Sequence, residues 1–575
     1  MAWYEKVTKP IREMLKSEKS TKCQEGLETP EEYKERWRSI YIIYFTMFLI
    51  SLGFSIIVTG VWPYLDKLDP TAGKEFMGYV VAANPFGQMI FSPLVGWWSN
   101  RLGSIRIPLI LSLTIFAISS ATYSSLELFE NHRKYIMVFS RFLVGVSSAN
   151  VAACRSYLSA ATTVSERTKA VSMISLAQVL GFVIGPAIQA AVVPLGNDGV
   201  WLIKDQLKLD MYTASGWINV FLTLINIYLF FPSMFIEHKI ASREAMQKSG
   251  TNNEKDTWKM FKPSYFAAWT LLVAFFVILF NFMILETLGT PLTMDQFAWS
   301  KRDSLKYMGI LMSVGAVLSI FTFALIAPLT KKFNEVKVMI WGGFLFMVLG
   351  RLAYIPFMND PPQVYDNSFK VNLTLVCTFW IKNHTINEMT ETINLNFLKN
   401  SLSLHNRTFN YHSIQNEEEL KYLTLNCGDD LLGCPSTQQW CTYTPAMTLT
   451  QFIVGYLLTA FGYPIGVTLI QTIFSKILGP RPQGVWMGLI TGSGCLSRVM
   501  GPVFVTYIYE EYGTVHTFIL TTVMMAACLL WLTLFTKSLV PKDLVVNEGR
   551  ELNEIHKFVS VDLQQEIIPL KDENI

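Results

Sequence analysis

Five ionisable residues stand inside otherwise apolar stretches of this chain: Arg141, Arg155, Arg351, Arg498 and Glu286. A charge at the centre of a bilayer costs about 2.5–3.5 kcal/mol on insertion scales, so it persists where a cavity, a partner or a route to water compensates it. Arg498 lies nearest the middle of its stretch. Arg155 sits toward one end and Arg141 and Arg351 toward the other, so these three could instead snorkel to an interface or pack helices together. If two or more of the arginines face a shared aqueous path, its field is positive and concentrates anions. The cargo expected on that reading is a small anionic solute, chloride or an organic acid. Arg498 is then its main counter-charge, with Arg141, Arg155 and Arg351 as further pathway candidates. Glu286 is the one acid well inside a stretch, a candidate proton-coupling carboxylate or else half of an ion pair that holds helices together. Asp295, a little further on, reads as a helix cap or turn residue in a loop.

The elements that would hold these residues are membrane helices. Of the 575 residues, 51% are hydrophobic and only 16% charged, and the mean hydropathy is +0.32. Ordinary soluble domains carry roughly 25% charged residues. Apolar runs of about 20 residues, the length that crosses some 30 Å of hydrocarbon, recur along the chain. Without water the backbone must satisfy its own hydrogen bonds, which makes helices the expected spans. Twelve are expected, in an all-α membrane protein of two six-helix bundles covering 40–236 and 264–537. They are flanked by tails 1–39 and 538–575, joined by a polar linker 237–263, and interrupted by a long loop 359–445.

An even number of spans puts both tails and the linker on one side. Their lysines and arginines make that side cytosolic by the positive-inside tendency. The long loop is then lumenal, and its sequons at Asn372, Asn383 and Asn406 become glycosylation candidates. It also holds Cys377, Cys427, Cys434 and Cys441, which in an oxidising lumen could form two disulfides. The simplest pairing is Cys434–Cys441 with Cys377–Cys427. Cys154, Cys495 and Cys528 fall in spans and read as apolar packing residues. A net charge of +3 gives no reason to expect nucleic acid, and the seven histidines lack metal-ligand spacing. No phosphate loop or nucleophile elbow occurs either, so no cofactor, metal or enzymatic activity is expected.

The two halves carry matching punctuation. The fifth span has Gly181-x-x-x-Gly185-Pro186, and the eleventh has Gly494-x-x-x-Arg498-x-x-Gly501-Pro502. Superposing the Gly-Pro pairs gives an offset of 502 − 186 = 316 residues. Repeats of this kind place a solute site between the halves, near the membrane midplane.

The second span ends in Gly96-Trp97-Trp98-Ser99-Asn100-Arg101-Leu102-Gly103, with a weaker counterpart at 329–337 that includes Lys331 and Lys332. With Arg141-x-x-x-Gly145 and Gly185-Pro186, this order of motifs resembles the major facilitator superfamily. The resemblance implies two six-helix bundles that rock about a central site, usually in a single copy. It also implies that the loop around Gly96, Asn100, Arg101 and Gly103 latches the cytosolic side, although Asn100 occupies the position where that family has an acid. Arg36-Trp37-Arg38-Ser39-Ile40, Thr290-Pro291-Leu292-Thr293-Met294-Asp295, Trp440-Cys441, the run from Ser475 to Pro480 and Pro482-Gln483-Gly484 resemble a lysosomal branch of the same superfamily. That closer likeness implies a lysosomal or late-endosomal membrane, glycosylation, and an activity described as chloride permeation. A transport-inactive scaffold or receptor acting through the lumenal loop is the alternative.

Overall fold

A computed structural model describes residues 27–365 and 433–540, apart from 59, 70–71, 130, 197–198, 204–206, 261, 358–359 and 436–437. The three sequons, Cys377 and Cys427 lie outside the described residues.

In the first half the helices are α1 (Pro30–Val58), α2 (Val61–Leu68), α3 (Gly73–Leu102), α4 (Arg106–Ser124), α5 (Arg133–Ser148), α6 (Asn150–Ala160), α7 (Val164–Val192) and α8 (Thr213–Leu229). The linker contributes α9 (Ile240–Ser249) and α10 (Glu254–Met260). In the second half come α11 (Tyr265–Phe297), α12 (Lys301–Lys332), α13 (Glu335–Val338), α14 (Leu345–Ala353), α15 (Leu449–Leu478), α16 (Gly484–Leu534) and α17 (Thr536–Leu539). A six-residue π-helical segment, Met339–Phe344, joins α13 to α14.

Among the described residues nine helical segments are long and apolar enough to cross a membrane. The three other expected spans have visible counterparts. The 30-residue α3 is outside those nine, and α8 is an apolar helix of 17 residues. The 51 residues of α16 contain a break at Gly513, whose φ of 78° and ψ of −171° turn one helix into the next. Aromatic and aliphatic side chains such as Phe221, Trp269 and Phe321 stay exposed on the perimeter, as a bilayer-facing surface requires.

Helix starts follow local chemistry. α1 begins at Pro30, with Glu31 and Glu32 in its first turn, where a missing N–H and negative charge both suit a helix N-terminus. It therefore starts ten residues before the apolar run at Ile40. α7 opens with a capping box between Thr163 and Glu166, and α15 with one between Thr448 and Gln451. Beyond α7 an antiparallel ribbon, β1 (Val200–Ile203) with β2 (Leu207–Leu209), precedes α8. A second, parallel pairing of β3 (Val364–Tyr365) with β4 (Cys434–Pro435) ties the two described ends of the long loop together.

Asp295 corrects the sequence expectation. It lies inside α11 rather than in a loop, is 9% exposed, and accepts a 2.8 Å hydrogen bond from the Tyr509 hydroxyl. Pro291 does not end this helix.

Candidate transport pathway and the seal at the terminal face

Polar side chains from both halves converge where the bundles face each other. Arg155 on α6 donates from Nη2 to Gln178 Oε1 at 3.2 Å, and its Nε is buried without a partner. Tyr463 on α15 lies within electrostatic reach of Arg155, of Arg498 on α16 and of Glu286 on α11, and Arg498 within reach of both Arg155 and Glu286. Tyr463 is stacked on Phe282 with ring centroids 4.0 Å apart. Glu286 is exposed to water-sized contact although protein surrounds it. Among the described residues neither Arg155 nor Arg498 forms an ion pair with a carboxylate.

The other two expected pathway arginines are elsewhere. Arg141 is 3% exposed and lies over the Phe54 ring at 5.5 Å, inside the first half. Arg351 is fully buried inside the second half, where Nη2 donates to the Asn281 carbonyl and the guanidinium lies over Tyr354 at 5.6 Å. Position along a span suggested a passage for both; burial places them in the packing of single bundles. Each keeps Nε and Nη1 without a recorded partner.

The face that carries both described chain ends, called here the terminal face, is closed by contacts between halves. α3 packs along α16, and α7 meets α12. At Gly96 a Cβ would stand 2.1 Å from the Gly484 carbonyl oxygen, so only glycine permits this approach. Asn100 accepts the Gly484 N–H at 2.9 Å and donates to the Pro482 carbonyl at 3.4 Å. It satisfies a free donor at the start of α16, as a capping side chain does. Arg101 instead lies over the Trp97 ring at 5.5 Å. Gly103 ends α3 in the left-handed region, with φ 67°. Gly181 and Gly185 let α7 approach α1, since a Cβ there would meet Phe48 O at 2.5 Å and Ser55 Cβ at 2.6 Å. Pro186 and Pro502 both sit within helices. Gly501 is less constrained, its nearest neighbour being Met283 Cβ at 3.4 Å.

Behind Asn100 lies a second layer that the sequence did not single out. Ser159 and Ser475, 316 residues apart, share a 2.5 Å hydrogen bond. Ser159 Oγ donates to Gln483 Oε1 at 2.8 Å, and Gln483 Nε2 donates to the Ser475 carbonyl at 2.8 Å. Arg167 Nη2 donates to the Ser159 carbonyl at 2.9 Å, and Nη1 reaches the Ser475 carbonyl at 3.4 Å. Nearby, Thr168 of the first half donates to Glu335 of the second, which pairs with Lys476 at 2.7 Å. The repeat offset pointed at these positions, but serine and glutamine are too common for a single sequence to flag them.

At the opposite end, Cys434 and Cys441 are joined in a disulfide with Cα atoms 6.0 Å apart. Trp440 within that loop is fully buried and packs on Tyr509, with ring centroids 5.2 Å apart, and against Gly513.

The family model described as Major Facilitator Superfamily matches residues 43–377 and 432–566. The chain belongs to the major facilitator superfamily. Within that family it is 37% identical over 522 residues to major facilitator superfamily domain-containing protein 8 of Xenopus laevis, covering 90% of this chain and 94% of the relative. Among solved structures, the human organic anion transporter MFSD10 superposes with a TM-score of 0.53 at 15% identity, over 86% of this chain and 99% of that one. The proton:xylose symporter XylE gives 0.56 at 13% identity, over 88% of this chain and 96% of that one. These two likenesses concern the fold. The chain is a multi-pass membrane transporter of this superfamily.

Proposed function

We propose that this transporter moves a small anionic solute, chloride or an organic anion, across a lysosomal or late-endosomal membrane by alternating access of its two bundles. The carrying observation is the meeting of Arg155 and Arg498 from opposite halves with no carboxylate paired to either among the described residues. Two guanidinium groups left in this state favour a bound anion through charge-assisted hydrogen bonds. Arg498 is the principal counter-charge, Arg155 orients the solute with Gln178, and Glu286 in the same passage is the proton-coupling group. On this reading the terminal face is the cytosolic one, and the contacts between Asn100 and Gly484 and between Ser159 and Ser475 close the cytosolic side. Kinship with the domain-containing protein 8 of Xenopus laevis and a shared fold with an organic anion transporter are in keeping with this reading.

The test is anion flux in liposomes holding the purified protein, with radioactive chloride and a panel of organic anions under imposed pH gradients. Arg498→Ala should abolish saturable anion uptake, and Glu286→Gln should leave uptake indifferent to the gradient. Normal uptake by Arg498→Ala rejects the anion assignment. Fast, unsaturable current indifferent to the pH gradient in the wild type would favour channel-like permeation. A tagged chain found away from lysosomal markers in cells would overturn the location.

A further inference from the structure

Arg167 and Gln483 are separated by 483 − 167 = 316 residues, the interval that relates Ser159 to Ser475. The resulting interactions correspond in their local part and in spanning the two halves. Each side chain donates to the carbonyl eight residues before it, Arg167 to Ser159 and Gln483 to Ser475. Each also reaches across to the other half, Arg167 to the Ser475 carbonyl and Gln483 to the Ser159 hydroxyl. All four residues are 5% exposed or less. The local axis relating the halves therefore passes through the Ser159–Ser475 contact, and the seal is one device built twice.

The two copies differ in charge. Arg167 is 2% exposed, its Nε has no partner, and its recorded acceptors are the carbonyls of Ser159, Thr162 and Ser475. No carboxylate lies within ion-pair distance of it among the described residues; Glu244 and Glu335 act on it only from farther away. A buried charge without a paired counter-charge opposes the state that buries it. From the equivalent register Gln483 makes the same local contact with a neutral amide, and it bridges to the other half by accepting from the Ser159 hydroxyl rather than by donating to a carbonyl, so a guanidinium is not needed to close the gap.

We propose that Arg167 is the positioning residue that keeps the terminal-face seal weak enough to open. Its guanidinium is desolvated when the halves close and rehydrates when they part, while Gln483 holds the opposite side without that opposing force. The inference rests on the repeat and the seal and holds whatever the solute is.

Thiol labelling in nanodiscs tests it, using Ser92→Cys as reporter and the protein lacking that substitution as blank. Ser92 is fully buried on α3, its hydroxyl has no partner, and its backbone lies against Gly488 of α16, so a thiol there reacts only when the halves separate. Arg167→Gln is expected to slow labelling about tenfold, because a tenfold shift in the open-to-closed ratio is a modest change for a buried charge. Gln483→Arg should speed it by a similar factor, and the double variant, which swaps the residues across the axis, should return near the wild-type rate. If Arg167 merely holds the structure together, Arg167→Gln speeds labelling and the swap is worse than either single change; either result overturns the proposal. Should Arg167→Gln fail to fold, Gln483→Arg decides alone, and unchanged or slower labelling refutes it.

Discussion

Replacing Asn100 by alanine and by aspartate should move the seal in opposite directions. Asn100 crosses between halves with one good hydrogen bond, from Gly484 N at 2.9 Å, and one long one, to Pro482 O at 3.4 Å. A neutral intramolecular hydrogen bond is worth about 1 kcal/mol net. When the terminal face opens, water replaces it, so Asn100→Ala destabilises only the closed state. That is roughly a fivefold gain in open fraction, since about 1.4 kcal/mol is a factor of ten. Asn100→Asp keeps the acceptor, loses the weak donor, and adds negative charge at the start of α16. An anion at a helix N-terminus gains about 0.3–1 kcal/mol from the aligned peptide dipoles, so the open fraction should fall about two- to fivefold. The assay is labelling of the Ser92→Cys reporter, under conditions where reclosing outruns modification so that the rate follows the open population. If both variants shift labelling the same way, or alanine leaves it unchanged, Asn100 does not act as the cap that spans the two halves.

Three further outcomes follow from single contacts. A Ser159→Cys, Ser475→Cys pair, placed where two hydroxyls are 2.5 Å apart, should oxidise to a crosslink that stops flux, and reduction should restore it; flux unaffected by a formed crosslink would mean these residues never part. Gly513→Ala should lower thermal stability by about 1–3 kcal/mol, because the Gly513 backbone conformation is essentially glycine-only and a Cβ would stand 2.5 Å from the Trp440 ring; an unchanged melting temperature would contradict this. At the far end, Asp210 accepts from Lys67 at 2.7 Å and from the Tyr212 and Thr213 N–H groups. Burial works against its ionisation, but these partners hold its carboxyl below the ordinary value. A depressed carboxyl stabilises above its unfolded pKa, about 3.9, and loses that contribution as pH falls through the lower folded value. Asp210→Asn should therefore cost the same melting temperature at pH 7 and pH 5, with the penalty shrinking near pH 3. A penalty already gone at pH 5 would show that the site does not hold its charge at mildly acidic pH.

The architecture was legible because it is written in long-range composition. Apolar runs imply the membrane character, and Gly185-Pro186 with Gly501-Pro502 point to the repeat. The site was less legible, for a physical reason. Depth along a helix can be counted from sequence, but successive residues turn by about 100°, so depth does not say which face a residue presents. Arg351 and Arg498 are both arginines within spans; one is fully buried against Asn281 and the other is partly exposed within electrostatic reach of Arg155 of the other half. Asn100 shows a different limit. Judged by charge, it lacks the carboxylate expected of the latch; judged by hydrogen bonding, its Oδ1 accepts as a carboxylate oxygen would. Asp295 was read as a cap or turn residue in a loop, yet α11 continues past Pro291 and carries Asp295 into contact with Tyr509.

The duplicated seal also explains why the halves can share one architecture without sharing a charge pattern. Two copies of a closing contact that meet at Ser159 and Ser475 must be compatible with each other. Two guanidinium groups there would repel across a few ångströms, and two neutral amides would close the face with nothing to reopen it. One of each, Arg167 with Gln483, satisfies the Ser159 and Ser475 carbonyls between them while leaving a single desolvated charge. Rocking needs the open and closed states to differ by only a few kcal/mol. A strict repeat would give a seal too strong or too weak, and divergence at one pair of equivalent positions is the smallest change that balances it.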